Sequence, residues 1–256
     1  MSARKHWSRE ELLIAFNLYC RLPFGQFHSR NKEIITTAEL LHRTPAALSM
    51  KLCNIASLDP QIISSGRVGL KGASKADREM WHEMMEGWDR FAIASEQALQ
   101  QLIDPLRKLE DESQQQKVGK DASVAAKRRI GQELFRKSVL SAYDFKCCIT
   151  GLKHSPFLIA SHIIPWSVDM ENRLNPQNGL SLSALHDKAF DLGLLTISED
   201  FCVIVSDTLF DQPDNFTKDS ILRYHQKPIS LPHKFVPDDD LLRHHRENIF
   251  NSRKLI

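Results

Sequence analysis

No apolar run in this chain approaches the ~20 residues that cross a bilayer. The opening stretch Met1-Ser2-Ala3-Arg4-Lys5-His6-Trp7 lacks the apolar core of a secretory signal. A cytoplasmic protein with no membrane partner is the expectation. Cysteine is sparse: Cys20, Cys53, Cys147, Cys148 and Cys202 are odd in number and scattered. That argues against a disulfide framework and fits a reducing compartment. Net charge is nearly absent as well. A formal charge of +2 over 256 residues carries no message in bulk about nucleic acid, so only its distribution can. What is present, 42% hydrophobic and 26% charged residues, is ordinary globular composition for one large or two modest domains.

The first sixty residues read as a tri-helical, helix-turn-helix-like module. Ser8 with Glu11 three residues on forms a capping box ahead of Leu12, Ala15, Phe16 and Tyr19, which share a helical face. A second helix is expected at about Asn31 to Leu41. Thr44 caps a third, with Pro45 in its first turn and the helix continuing to Ile55. The joint Leu41-His42-Arg43-Thr44 has helix-turn-helix form. The words Trp-Ser-x-Glu-Glu and Arg-Thr-x-x-Ala-Leu are similar to Myb/SANT-like modules. In that geometry the last helix enters the major groove, with Ser49, Lys51 and Asn54 exposed beside Ala47 and Arg43 near a phosphate. Residues 1–64 hold eight Lys and Arg against five carboxylates, a surplus that favours DNA contact over a plain packing bundle.

Residues 61–109 are a helical extension. Ser74 caps a long stretch, with a break expected near Ala94-Ser95. Met80, Trp81, Met84, Met85, Trp88, Phe91 and Ala92 form an apolar stripe at helical spacing that reads as core. Residues 110–126, with Gln114-Gln115-Gln116 at their centre, have little to bury and read as a linker. A second domain is expected over 127–256. It opens with a helix from Lys127 to about Tyr143 that carries five positive charges against one negative between Lys127 and Lys137. Lys127, Arg128, Arg129 and Arg136 are candidate phosphate contacts there, as is Lys188 further on.

The chemistry concentrates between Cys147 and Ile197. The β-prone run Phe157-Leu158-Ile159-Ala160 leads into Ser161-His162-Ile163-Ile164 and reads as one arm of a hairpin. A breaker-rich loop follows, Asn175-Pro176-Gln177-Asn178-Gly179, and then a helical segment containing His186. Sixteen residues separate His162 from Asn178 and eight separate Asn178 from His186. The order strand histidine, loop asparagine, helix histidine resembles the HNH nucleases. The flanking words Cys148-Ile149-Thr150-Gly151 and Phe190-Asp191-Leu192-Gly193-Leu194-Leu195-Thr196-Ile197 are similar to the restriction-type branch.

That resemblance implies an α+β protein: a helical N-terminal half followed by a ββα-metal (HNH) nuclease domain. It implies a metal-dependent endodeoxyribonuclease of the restriction or defence type, hydrolysing double-stranded DNA. His162 would be the general base, Asn178 would hold it across the hairpin, and His186 would ligate one divalent ion. Two positions depart from the family pattern. Ser161 stands where many members place an Asp or His ligand, so its hydroxyl, its carbonyl or a water would substitute. Phe190 stands where others place a second helical histidine. Asp187 and Asp191 share another face, open to capping, pairing with a base, or an outer role at the metal. So few ligands suit Mg²⁺ or Mn²⁺, with Ni²⁺ or Zn²⁺ favoured by the imidazole. With no second cysteine pair, no structural zinc is expected. A homodimer would let each DNA strand meet one site. The alternatives are a DNA-binding regulatory protein with an inactive HNH fold, and an RNA-directed nuclease. The adjacent His244 and His245 point in different directions and are not expected to share a metal.

Overall fold

The structure, a computed structural model, describes residues 6–66, 70, 72–110 and 120–250, with the side chains of 105–130 outside the description. The chain divides into two compact units, Met1–Ser138 and Val139–Ile256. No helix among the described residues is long and apolar enough to cross a membrane.

Local chemistry starts several helices of the first unit. Helix α1 (Arg9–Arg21) opens on a complete capping box between Ser8 and Glu11, two otherwise orphaned amides satisfied reciprocally. Helix α2 (Lys32–Leu40) starts at Asn31, whose side chain accepts from the amides of Glu33 and Ile34. Helix α3 (Pro45–Ala56) starts at Thr44 with proline in its first turn. Between α2 and α3 the chain turns through His42, at φ 51°. Helix α4 (Pro60–Ser64) is short, and α5 (Lys75–Glu86) has a second capping box, Ser74 with Asp77.

The break in the long helical stretch falls at Gly87, not near Ala94-Ser95. Helix α5 ends at Glu86 and α6 (Trp88–Glu110) begins beyond the glycine, the residue with the poorest helix propensity after proline. Ser95 is instead fully buried inside α6, where its hydroxyl accepts from Asn17 Nδ2 at 3.1 Å. A polar residue that reads as a breaker is here a tie between α1 and α6. Phe16 meets Phe91 edge-on at 6.2 Å and Tyr19 meets Trp81 at 6.1 Å. Burying each such ring contributes about 1.5–3 kcal/mol. Met85 lies outside this stripe, 41% exposed.

Helix α7 (Lys120–Ala142) begins earlier than the expected Lys127. The linker expected at 110–126 falls mostly on residues outside those described.

In the second unit, β1 (Leu158–His162) and β2 (Gly179–Ser183) pair antiparallel, with Leu158 opposite Ser183 and His162 opposite Gly179. Helix α8 (Ala184–Asp191) follows β2 directly, capped by Ser183, and packs on both strands. A second hairpin, β3 (Leu195–Ile197) with β4 (Val203–Val205), sits at the end of α8. Gly193 joins α8 to β3 at φ 63°, and a Cβ there would lie 2.4 Å from the Ile249 carbonyl oxygen. Both conditions demand glycine. After α9 (Asn215–Ser220), α10 (Asp239–His245) widens into a π turn over Arg246–Phe250. The architecture is α+β: a helical N-terminal half, then a ββα unit of two ribbon strands and one helix.

Candidate active site

His162 ends β1, half-buried. Its Nε2 lies 2.9 Å from the carbonyl oxygen of Arg173. A carbonyl can only accept, so Nε2 carries the proton and the lone pair is on Nδ1. The Trp166 ring stands edge-on to the imidazole, centroids 5.8 Å apart at 89°. Burial pushes the His162 pKa below its usual value. The Arg173 carbonyl and the Asp187 carboxylate pull weakly the other way. At neutral pH this is a neutral imidazole in one tautomer.

Asn178 is completely buried. Its Oδ1 accepts from the Ile164 amide at 2.8 Å. Its Nδ2 donates to the carbonyls of Ile164 at 3.2 Å and Asn172 at 3.1 Å. The side chain thus ties the entry of β2 to the chain two residues past His162 and fixes where β1 ends.

Between the strands the chain is stapled by its own side chains. Asp169 accepts from the amides of Glu171 and Asn172 and from Asn172 Nδ2. Asn172 accepts from Asn175 Nδ2, and Asn175 accepts from the Gln177 amide. Arg173 Nε donates to the Trp166 carbonyl at 2.8 Å. None of this was read from the sequence. The signal was there: Asp169, Asn172, Asn175 and Asn178 recur every third residue, and each of these types hydrogen-bonds the nearby backbone.

His186 is only 3% exposed. Its Nδ1 is 2.8 Å from Ser183 Oγ, and its ring is edge-on to Tyr224 at 5.6 Å. Nε2 is buried with no hydrogen-bond partner among the described residues. Burial lowers the His186 pKa, opposed by the Ser220 carbonyl. Ser161 is 2% exposed, and its hydroxyl also lacks a partner among the described residues. Strand alternation aims it at the face of the ribbon opposite His162, so the hydroxyl does not join the base. Phe190 is fully buried and stacks on the His245 ring at 3.6 Å.

No three His, Cys, Asp or Glu side chains come together to hold a divalent ion among the described residues. The orphaned Nε2 of His186 fits a ligand nitrogen. A ligand nitrogen there needs the ring proton on Nδ1, donated to Ser183 Oγ, whereas the Ser220 carbonyl favours a proton on the other nitrogen. Asp187 is the α8 carboxylate whose charge reaches His162. The fit is to an ion held by few protein groups, with water and phosphate supplying the rest. At 3% exposure, however, His186 is shielded from solvent.

The expected DNA contacts are placed unevenly. Lys127, Arg128 and Arg129 lie on α7, but their side chains are outside the described residues. Arg136 and Lys188 are exposed. In the first unit the exposed face is not the expected one. Lys51 is 6% exposed, and its ammonium is 2.7 Å from Asp77 Oδ1. Arg43 donates through Nε and a terminal nitrogen to Glu11 at 3.0 and 2.7 Å, and its guanidinium lies over the Trp7 ring at 4.0 Å. Two cations that read as phosphate contacts are therefore held internally. The reason is tertiary: Asp77 lies 26 residues from Lys51 and Glu11 lies 32 from Arg43, beyond any helical spacing. Ser49 donates to the Phe27 carbonyl at 2.7 Å, and Asn54 is half-buried. Met50, 53% exposed, points outward instead.

No curated protein is similar enough to match the chain. Residues 147–198 match the family model described as HNH endonuclease. The match runs from the Cys147-Cys148 pair through both strands and α8 into β3, the segment in which His162, Asn178 and His186 were read. On that match and this ribbon-and-helix geometry, the chain carries an HNH endonuclease domain at 147–198.

Proposed function

We propose that the chain is a metal-dependent endonuclease that hydrolyses phosphodiester bonds of double-stranded DNA, with His162 as general base. The observation that carries this reading is the state of His162. Burial keeps its imidazole neutral, and the Arg173 carbonyl pins the proton on Nε2. Nδ1 is then the nitrogen that takes a proton from an attacking water, and general-base catalysis of this kind contributes about 10²–10⁴-fold. Asn178 holds the strand end that carries the base. His186 Nε2 would hold one divalent ion, Mg²⁺ or Mn²⁺ by the poverty of ligands, with Asp187 on the same helix. The ion, when bound, neutralises charge on the phosphate and assists the leaving oxygen. Exposed Arg136 and Lys188 suit the DNA backbone. A restriction or defence role, and a homodimer cutting both strands, follow from the family resemblance.

One observation favours a second reading, a DNA-binding protein with an inactive HNH fold: His186 is 3% exposed. Nicking of supercoiled plasmid with Mg²⁺ or Mn²⁺ separates the two. Cleavage by the wild type that is lost in His162→Ala, with plasmid binding kept, is the expected result. If both proteins bind and neither cuts under any divalent ion, the second reading wins. Offering RNA beside DNA tests the polymer.

A further inference from the structure

Arg173 takes part in the proposed site twice. Its carbonyl holds the proton of His162 Nε2. Its side chain turns back over Trp166, donating Nε to the Trp166 carbonyl at 2.8 Å, with the guanidinium carbon 5.3 Å from the ring centroid. Trp166 in turn stands edge-on to His162. Arg173, Trp166 and His162 thus form a closed set, and the guanidinium is immobilised beside the base rather than free on a loop.

What this guanidinium lacks is an anion. Among the described residues no carboxylate lies within ion-pair distance of Arg173. Asp169, four residues earlier, is turned inward by three hydrogen bonds to the loop itself. Arg43, by contrast, is also stacked on a tryptophan but is neutralised by Glu11. An arginine held only as a loop staple needs its Nε, and the two terminal NH₂ groups have no acceptor among the described residues. They present the planar fork that matches two phosphate oxygens.

We propose that Arg173 is the phosphate-binding residue of the loop, gripping the DNA backbone next to the bond that His162 addresses. The inference rests on the nuclease reading and adds to it the residue that aligns the substrate with the base. Trp166 lies against the guanidinium, its ring centroid 5.3 Å from the guanidinium carbon, and holds the cation beside the base.

The test uses the full-length protein with Arg173→Gln, which keeps an N–H for the Trp166 carbonyl but removes the charge, and Arg173→Lys, which keeps the charge but removes the fork. Binding of a short duplex is measured in EDTA as a function of salt, single-turnover cleavage with Mn²⁺, and thermal melting of each protein. The glutamine variant should melt as the wild type does. It should lower the slope of log K against log salt by about 0.9, the loss of one phosphate contact, and slow cleavage about 10²-fold. The lysine variant should recover the slope and not the rate. An unchanged slope in Arg173→Gln overturns the inference, and so does a wild type that binds no duplex. If the wild type binds without cutting, the nuclease reading fails separately, and the slope alone still decides for or against Arg173. If the glutamine variant melts early, the lysine variant decides: normal melting with wild-type cleavage shows that the fork grips no phosphate, and the inference falls.

Discussion

Replacing His245 by glutamine should flatten the acid side of the second unit's stability. The His245 ring is fully buried, stacked on Phe190 at 3.6 Å with an 11° tilt. Thr196 Oγ1 lies 2.9 Å from Nδ1, and Nε2 lies 3.1 Å from the Phe190 carbonyl. The carbonyl fixes the proton on Nε2, so Nδ1 accepts from the threonine hydroxyl. A second proton would cost that hydrogen bond and place a cation against an aromatic face without water. Burial accordingly pushes the pKa down from 6.5 to about 4, with neighbouring Arg246 and His244 adding to the effect and the Phe190 carbonyl opposing it. The folded state then binds fewer protons than the unfolded state between those values. Stability from this group is complete above pH 6.5 and lost progressively as pH falls toward about 4, a total of roughly 3 kcal/mol. His245→Gln should cost about 1–2 kcal/mol at neutral pH through the lost stack and hydrogen bond. Over the acid range it should lose about 3 kcal/mol less than the wild type. Hydrogen exchange of the α8 amides reads this unit by itself, and the imidazole pKa is measured directly by NMR titration. An imidazole titrating near 6.5, or equal acid losses in the two proteins, refutes the reasoning.

Four more outcomes are expected. Asn178→Ala leaves the Ile164 amide and two carbonyls without partners and should destabilise by roughly 2–4 kcal/mol, measured by urea unfolding, with cleavage falling alongside. Gly193→Ala adds a Cβ 2.4 Å from the Ile249 carbonyl oxygen at a φ of 63°; a loss under about 1 kcal/mol would contradict the reading that this joint is rigid. Asp77→Ala strands the buried Lys51 ammonium and removes a capping box, so the first unit should lose about 3–5 kcal/mol, visible as an early melting transition. The plasmid-nicking rate should fall only below pH 6.5, because burial lowers the His162 pKa and a base fails when it is protonated; an acid limb at or above pH 6.5 removes His162 as the buried base.

The elements that were legible in the sequence are those whose signals are local. Ser8 with Glu11, Thr44 with Pro45, and Ser74 with Asp77 each start a helix where their side chains reach amides two or three residues away. The ribbon and α8 were legible for the same reason: β-prone residues, a breaker loop, then helical spacing. The burial of Lys51 and Arg43 was not, because both depend on partners brought by the fold. Gly87 was passed over for Ala94-Ser95 because a serine inside a helix reads as a breaker until Asn17 is seen opposite it. At the site, the positions of His162 and Asn178 were legible. The tautomer of the first is set by Arg173, 11 residues on, and His186 lies against Tyr224, contacts that no local spacing signals.

The rungs at Asp169, Asn172, Asn175 and Asn178 have a consequence for what this loop tolerates. The first three rungs reach only to neighbours two or three residues along and Asn178 reaches back to Asn172 and Ile164, so inserting or deleting one residue inside 169–178 shifts the later rungs off their partners. It also carries the Arg173 carbonyl away from the imidazole. Changes of loop length are therefore confined to places outside this ladder, whereas exposed Val168 and Met170 are free to be exchanged for almost any side chain.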